Sequence, residues 1–156
     1  MSKFWIIFHA AFAVVMLAAV IANLYYCRKK SSGKPFINKT FHTNIMNAAK
    51  ANDNFRHVLS TAAHAQVVLM SLTPGENIGK ESHDTLDQIF VFVEGTGKAV
   101  VNNIEYALNV GDLLYIPAET IHDIINTGKS PLKLFTIYAP PQHKQGLIQK
   151  IKPAND

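Results

Sequence analysis

The sequence predicts an all-β domain carried behind an apolar N-terminal transmembrane helix. Three observations predict it. From Val58 onward, short apolar runs alternate with Gly, Pro, Asn and Asp turn signals, a texture that belongs to closed or sandwiched β domains. No long helical periodicity interrupts those runs. By contrast Phe4 to Tyr26, "FWIIFHAAFAVVMLAAVIANLYY", carries no Asp, Glu, Lys or Arg.

The N-terminal segment comes first. As a helix, Phe4–Tyr26 would be roughly 35 Å long at about 1.5 Å per residue, enough for a tilted bilayer crossing. Trp5, Tyr25 and Tyr26 stand where interfacial aromatics belong. A cleaved signal peptide is a poorer fit, because the apolar run is too long and no small-x-small site precedes the basic cluster. Arg28, Lys29, Lys30 and Lys34 follow the helix, against Lys3 before it. The heavier positive flank places the rest of the chain in the cytoplasm as a single-pass protein. Cys27 has no partner for an internal disulfide, and its place at the membrane edge permits palmitoylation. "KKSSGKP" reads as a polar linker. The expected divisions are a membrane anchor over 1–28, a linker over 29–43 and the β domain over 44–156.

Within that domain Asn44–Asn52 reads as a brief helix, with Ile45, Met46, Ala48 and Ala49 spaced to face one side. The strands are then "QVVLMSL", "IFVFV", "KAVV", "YALNV", "LLYIP", "HDII" and "LKLFTIY". Their separators are Pro74–Gly75, "EGTG", Asn102–Asn103, Gly111–Asp112, "PAET" and "NTGKSP". No repeat-protein period is visible. The tail "PPQHKQGLIQKIKPAND" leaves two fates open, covering the domain or staying loose.

The net charge of +4 does not indicate nucleic acid. Four of the basic residues sit in the juxtamembrane stretch, where anionic lipid is a sufficient partner, and the rest are scattered, with no basic helix.

Chemistry concentrates between Pro74 and Gly97. Residues two apart in a strand share a face, so Glu81 and His83 project together, and Gln88 opens the buried run Ile89–Val93. A carboxylate, an imidazole and an amide suit a divalent cation of intermediate softness. They would stand at the mouth of a barrel floored by Phe90 and Phe92. A second imidazole is wanted, and His122, among Ile121, Ile124 and Ile125, is the candidate; an unsatisfied imidazole in such surroundings is costly. Tyr106, Tyr115 and Tyr138 sit in strands and could line the pocket, with core packing expected for at least two of them. His42, His57, His64 and His143 carry no pattern and read as surface or packing residues.

Two stretches together resemble the signature motifs of the cupin superfamily. The first motif is Gly, five residues, His-x-His, three or four residues, Glu, six residues, Gly. Here it is Gly75, five residues, Glu81-x-His83, four residues, Gln88, six residues, Gly95. The second is Gly, five residues, Pro-x-Gly, two residues, His, three residues, Asn. Here it is Gly111, five residues, Pro117-x-Glu119, two residues, His122, three residues, Asn126. Glu81, Gln88 and Glu119 replace the family's His, Glu and Gly. "PGENIGKESH", "NDNFRHVL" and "HDIINTGKSPLKLFTIYAPP" are further similar to a subgroup described as mannose-6-phosphate-isomerase-like.

The resemblance implies a double-stranded β-helix, a jelly-roll barrel, over about Asn44 to Lys152. It implies Glu81, His83, Gln88 and His122 as ligands of Zn, Mn, Fe or Ni, with Asp87 the rival of Gln88; the six-residue gap to Gly95 favours Gln88. It implies a metal-dependent enzyme on a small oxygenated molecule, such as a sugar or sugar-phosphate isomerase, with Glu81 or Glu119 moving a proton. Arg56, Tyr115 and Phe90 would contact substrate. The arginines are Arg28 and Arg56, so phosphate would fall to Arg56, Lys80 or Lys98. An Fe(II) dioxygenase-type reaction fits the same ligands. The contrasting expectation is a non-catalytic, membrane-tethered sensor of a metal or metabolite. A homodimer through the outer sheets is the implied assembly.

Overall fold

The computed structural model describes Met16 and residues 40–154. Among these no helix is long and apolar enough to cross a membrane; apart from Met16, the expected span Phe4–Tyr26 lies outside the described residues, as do Cys27 and the linker up to residue 39. The β domain falls within the compact unit Ile37–Asp156.

The expected brief helix is α1 (Ile45–Lys50), and its boundaries follow from side-chain chemistry. Asn44 Oδ1 accepts from the Asn47 amide at 3.0 Å, satisfying one of the free N–H groups that open any helix. At the other end Lys133 Nζ donates to the Lys50 carbonyl at 2.6 Å and to Asp53 at 2.8 Å. Between these ends Ala49 is buried against Leu69 and Val93, which holds the helix on the outer surface of a sheet.

Nine strands follow: β1 (Arg56–Thr61), β2 (Gln66–Leu72), β3 (Asp87–Glu94), β4 (Gly97–Val101), β5 (Ile104–Leu108), β6 (Leu113–Ile116), β7 (His122–Asn126), β8 (Leu132–Ala139) and β9 (Ile148–Gln149). They form one sheet ordered β6-β3-β8-β2-β1-β9 and a second ordered β5-β4-β7. The segment Glu76–Glu81 runs along the free edge of β7, bridging at Asn77–Ile125 and Glu81–His122. The all-β expectation is met. The tail is resolved in favour of covering: β9 pairs with the outer edge of β1, and Leu147 packs on the core.

Alternation explains the layering. In β3 Gln88, Phe90 and Phe92 point inward while their neighbours point away; β7 does the same with His122, Ile124 and Asn126. Inward residues of both sheets, among them Val68, Phe90, Phe92, Leu134, Ala99 and Ile124, make one core. Full burial of a Val, Leu or Phe is worth about 1.5–3 kcal/mol. The β4–β5 turn shows why Asn102–Asn103 reads as a turn: both take positive φ, 48° and 68°, as a two-residue hairpin loop requires.

One transverse rung positions the site. Thr61 pairs with Gln66, Gln66 with Tyr138, Tyr138 with Gln88, and Gln88 with Ile116. All five share one face of the large sheet, so polar side chains enter the barrel together at one end.

Candidate metal centre

Two strand systems bring the donors together. The Glu81–His122 bridge, with amide-to-carbonyl bonds of 2.9 Å in both directions, sets Glu81 beside His122. Glu81 Oε1 lies 3.3 Å from His83 Nε2 and 3.4 Å from His122 Nε2. Ligand atoms of the three residues all fall within 4.8 Å of one another. From the facing sheet Gln88, fully buried, reaches His122 Nε2 with Oε1 at 3.1 Å. The four residues expected from the sequence therefore converge.

The chemistry of this set fits a divalent cation. His122 Nδ1 stands 2.9 Å from the Thr120 carbonyl, an oxygen that only accepts, so the ring proton belongs on Nδ1 and the Nε2 lone pair faces inward. It meets two more acceptors, Gln88 Oε1 and Glu81 Oε1. His83 Nε2 is buried without a well-formed hydrogen bond, and Gln88 Nε2 is likewise unsatisfied. Lone pairs aimed at one another with no proton between them are unfavourable. A cation removes the conflict: donors about 2.1 Å from an ion stand roughly 3.0–3.4 Å apart. The Thr120 carbonyl is the outer partner that fixes a ligating imidazole.

Burial pushes the Glu81 carboxyl up, but a hydrogen bond from His122 and positive charge on His83 and His122 outweigh it and hold the group below its usual range. These effects need protonated imidazoles, and a cation displacing those protons would lower the carboxyl in the same direction. Glu81 is the most exposed of the trio, its side chain 28% accessible against 10% for His83 and 0% for His122. Outside lies a cleft of about 420 Å³ whose lining includes His83, Asp84, Thr85, Leu86, Pro141 and Gln142.

Several expectations are corrected. Asp87 does not rival Gln88: it points to the outer face, accepting from Tyr115 Oη at 2.6 Å and from the Ala118 amide at 3.0 Å. Those two bonds hold Asp87 below the usual carboxylate range, and the first of them raises Tyr115. Tyr115 is therefore outside the barrel and half-exposed rather than a pocket residue, and Tyr106 is exposed too. Core packing fits neither. Arg56 is buried at the far end of β1, donating to Gln149 Oε1 at 2.7 Å and lying over the Phe55 ring; its register with Met70 rather than Gln66 puts it away from the donors. Glu119 turns the chain with φ +64° and gives its amide to the His83 carbonyl at 2.7 Å, with its side chain exposed. Phe90 does lie below the site, its ring 5.9 Å from His122.

Two residues that the sequence named without assigning to the donors stand behind them. Tyr138 is buried against His83, ring centroids 6.1 Å apart, and His143, expected at the surface or in packing, packs on Tyr138 at 4.9 Å. The period-2 pattern Leu132, Leu134, Thr136, Tyr138 marks Tyr138 as inward; only strand pairing brings it to the donors.

Comparison with known proteins gives one family and several relatives. A cupin-domain family model matches residues 68–138. The uncharacterized protein YrkC of Bacillus subtilis is 42% identical over 120 residues, covering 73% of this chain and 64% of YrkC; the chain thus spans less than two thirds of that relative. A Bacillus halodurans protein of known crystal structure is 39% identical with a TM-score of 0.73, over 74% of this chain and 92% of its own. A Thermotoga maritima structure described as a predicted oxalate decarboxylase is 26% identical, with a TM-score of 0.51, over 55% and 77% of the two chains.

Proposed function

This chain belongs to the cupin family, with that family's all-β jelly roll, and from that premise we propose that it binds one divalent cation for work on a small oxygenated molecule. Glu81, His83, Gln88 and His122 hold the cation, which is Zn, Mn, Fe or Ni by the mixture of imidazole, carboxylate and amide donors. The observation that carries this is the meeting of Gln88 Oε1 and Glu81 Oε1 with His122 Nε2 at 3.1 and 3.4 Å.

When bound, such a cation polarises an oxygen of the ligand as a Lewis acid. The chain's own residues supply the rest. The Thr120 carbonyl orients His122, Phe90 shields the inner side from water, and the partly exposed Glu81 carboxylate is the group placed to move a proton at the mouth. Glu119, exposed on a turn, is a weaker proton carrier than its position in the motif implied.

The sugar-phosphate isomerase reading has less support than a neutral or carboxylate ligand. Arg56 serves Gln149, Lys98 pairs with Glu105 at 2.6 Å, and Lys80 lines a separate cavity of about 140 Å³ with Asp123. None of these cations lines the mouth cleft, where Asp84 adds a carboxylate. The Thermotoga relative's description supports acid decarboxylation or other oxygen-linked metal chemistry as one form of the reading.

A second reading is a non-catalytic sensor held at the membrane. The charge-free segment Phe4–Tyr26 and the basic run after it favour a single-pass tether with the cupin domain on the cytoplasmic side.

The test is metal content. The full chain should carry about one equivalent by mass spectrometry, and His122→Ala should lose most of it; equal content in both proteins removes the proposal. Incubation of the loaded chain with sugar phosphates, with hydroxy acids and with O2 then separates enzyme from sensor.

A further inference from the structure

The two imidazoles of the metal centre are oriented by different means. His122 has the Thr120 carbonyl on its Nδ1. His83 stands in the loop ahead of β3, and its ring is held by packing: the Tyr138 ring meets it edge-on at 6.1 Å and 68°. Behind Tyr138, the His143 ring makes a still closer perpendicular contact, 4.9 Å at 86°. Such edge-to-face contacts are favourable only in a narrow range of ring orientations.

His143 belongs to the tail between β8 and β9, where no strand fixes it. Gln66 does so instead. That amide is fully buried; its Oε1 accepts from the His143 amide at 2.9 Å, and its Nε2 donates to the His143 carbonyl at 2.8 Å and to Thr61 Oγ1 at 2.9 Å. Gln66, Tyr138 and Gln88 are consecutive members of the transverse rung. One row of inward side chains thus holds the tail with its first member, His83 with its second and His122 with its third.

We propose that His143 is a positioning residue of the metal centre, acting through Tyr138 on the His83 ring, so that the tail completes the site. This rests on the metal-binding reading above.

The test uses Co(II) as probe, titrated into the full chain and followed by its visible absorption bands. His143→Ala should weaken Co(II) binding by up to about 10-fold, the scale of one lost edge-to-face ring contact, and shift the bands. His143→Gln, which removes the ring, should behave alike. His143→Phe keeps an aromatic edge and should stay within about threefold of wild type. Melting curves check folding; if His143→Ala does not fold, the Gln and Phe variants decide between them. Wild-type affinity and bands in the Ala and Gln variants overturn the inference, as does an equal loss in the Phe variant. A wild-type chain that takes up no Co(II) overturns the metal reading itself, and this inference with it.

Discussion

Replacing Gln88 by Leu should move two measurements in opposite directions. Gln88 is fully buried; its Nε2 has no partner, and its Oε1 faces the lone pair of His122 Nε2 at 3.1 Å. In the metal-free chain the amide is therefore a liability. An unsatisfied buried polar group costs about 1–3 kcal/mol, and leucine has similar bulk with no polar atoms to satisfy. Taking about 2 kcal/mol, and about 2–4 °C per kcal/mol for a chain of this size, the metal-free variant should melt about 4–8 °C above wild type. With a divalent ion the order reverses, because one of four donors is gone: affinity should fall by at least the 10–100-fold typical of outer-partner losses. Differential scanning fluorimetry with chelator, then with excess Co(II) or Zn(II), reads both effects. A Gln88→Leu variant that loses stability like an ordinary core mutant, and binds metal as wild type does, would show that the amide has a structural partner and no role toward an ion.

Other expectations are simpler. Asp87→Asn should leave metal content unchanged, since Asp87 faces outward to Tyr115 and Ala118. Because the Asp87 carboxyl is held below its usual range, its contribution is present above the ordinary aspartate pKa and is lost as pH falls through the folded value; the variant's Tm should therefore change less between pH 7 and about pH 3. Asn126→Ala leaves the Leu72 and Ser130 carbonyls and the Gly128 amide without their side-chain partner. With water repairing part of that loss, about 3 kcal/mol should disappear, read as a lower urea midpoint with unchanged slope. Glu119→Gly relieves a left-handed residue at a cost of extra freedom in the unfolded chain, so stability should rise by up to about 1 kcal/mol. If Glu119 moves the proton, turnover of any substrate found by the screen falls with that change; if Glu81 does, turnover stays.

The motif spacing picked out four side chains that converge because each motif is a local object. Glu81-x-His83 and Gln88 sit on either side of one short loop, and Pro117 to Asn126 is one turn and one strand; neither needs distant chain to define its face. Assignments that failed concern faces set by sheet order. Tyr115 alternates correctly within its own strand, but which face is inward at β6 depends on its pairing with β3. Arg56 looked available because a lone arginine in a polar stretch reads as a surface cation. Its burial comes from pairing with β9, a strand of two residues that no periodicity announces.

By itself the sequence determined the β character of the domain, the turns, and four candidate donors, because turn geometry, alternation and spacing act over a few residues. Only the tertiary structure decided which side chains stand behind those donors. Gln66, Tyr138 and Gln88 are far apart in the chain and become neighbours solely through hydrogen bonding of β2, β8 and β3. Strand register is a long-range property, and one residue of slip would have turned that entire row to the opposite face.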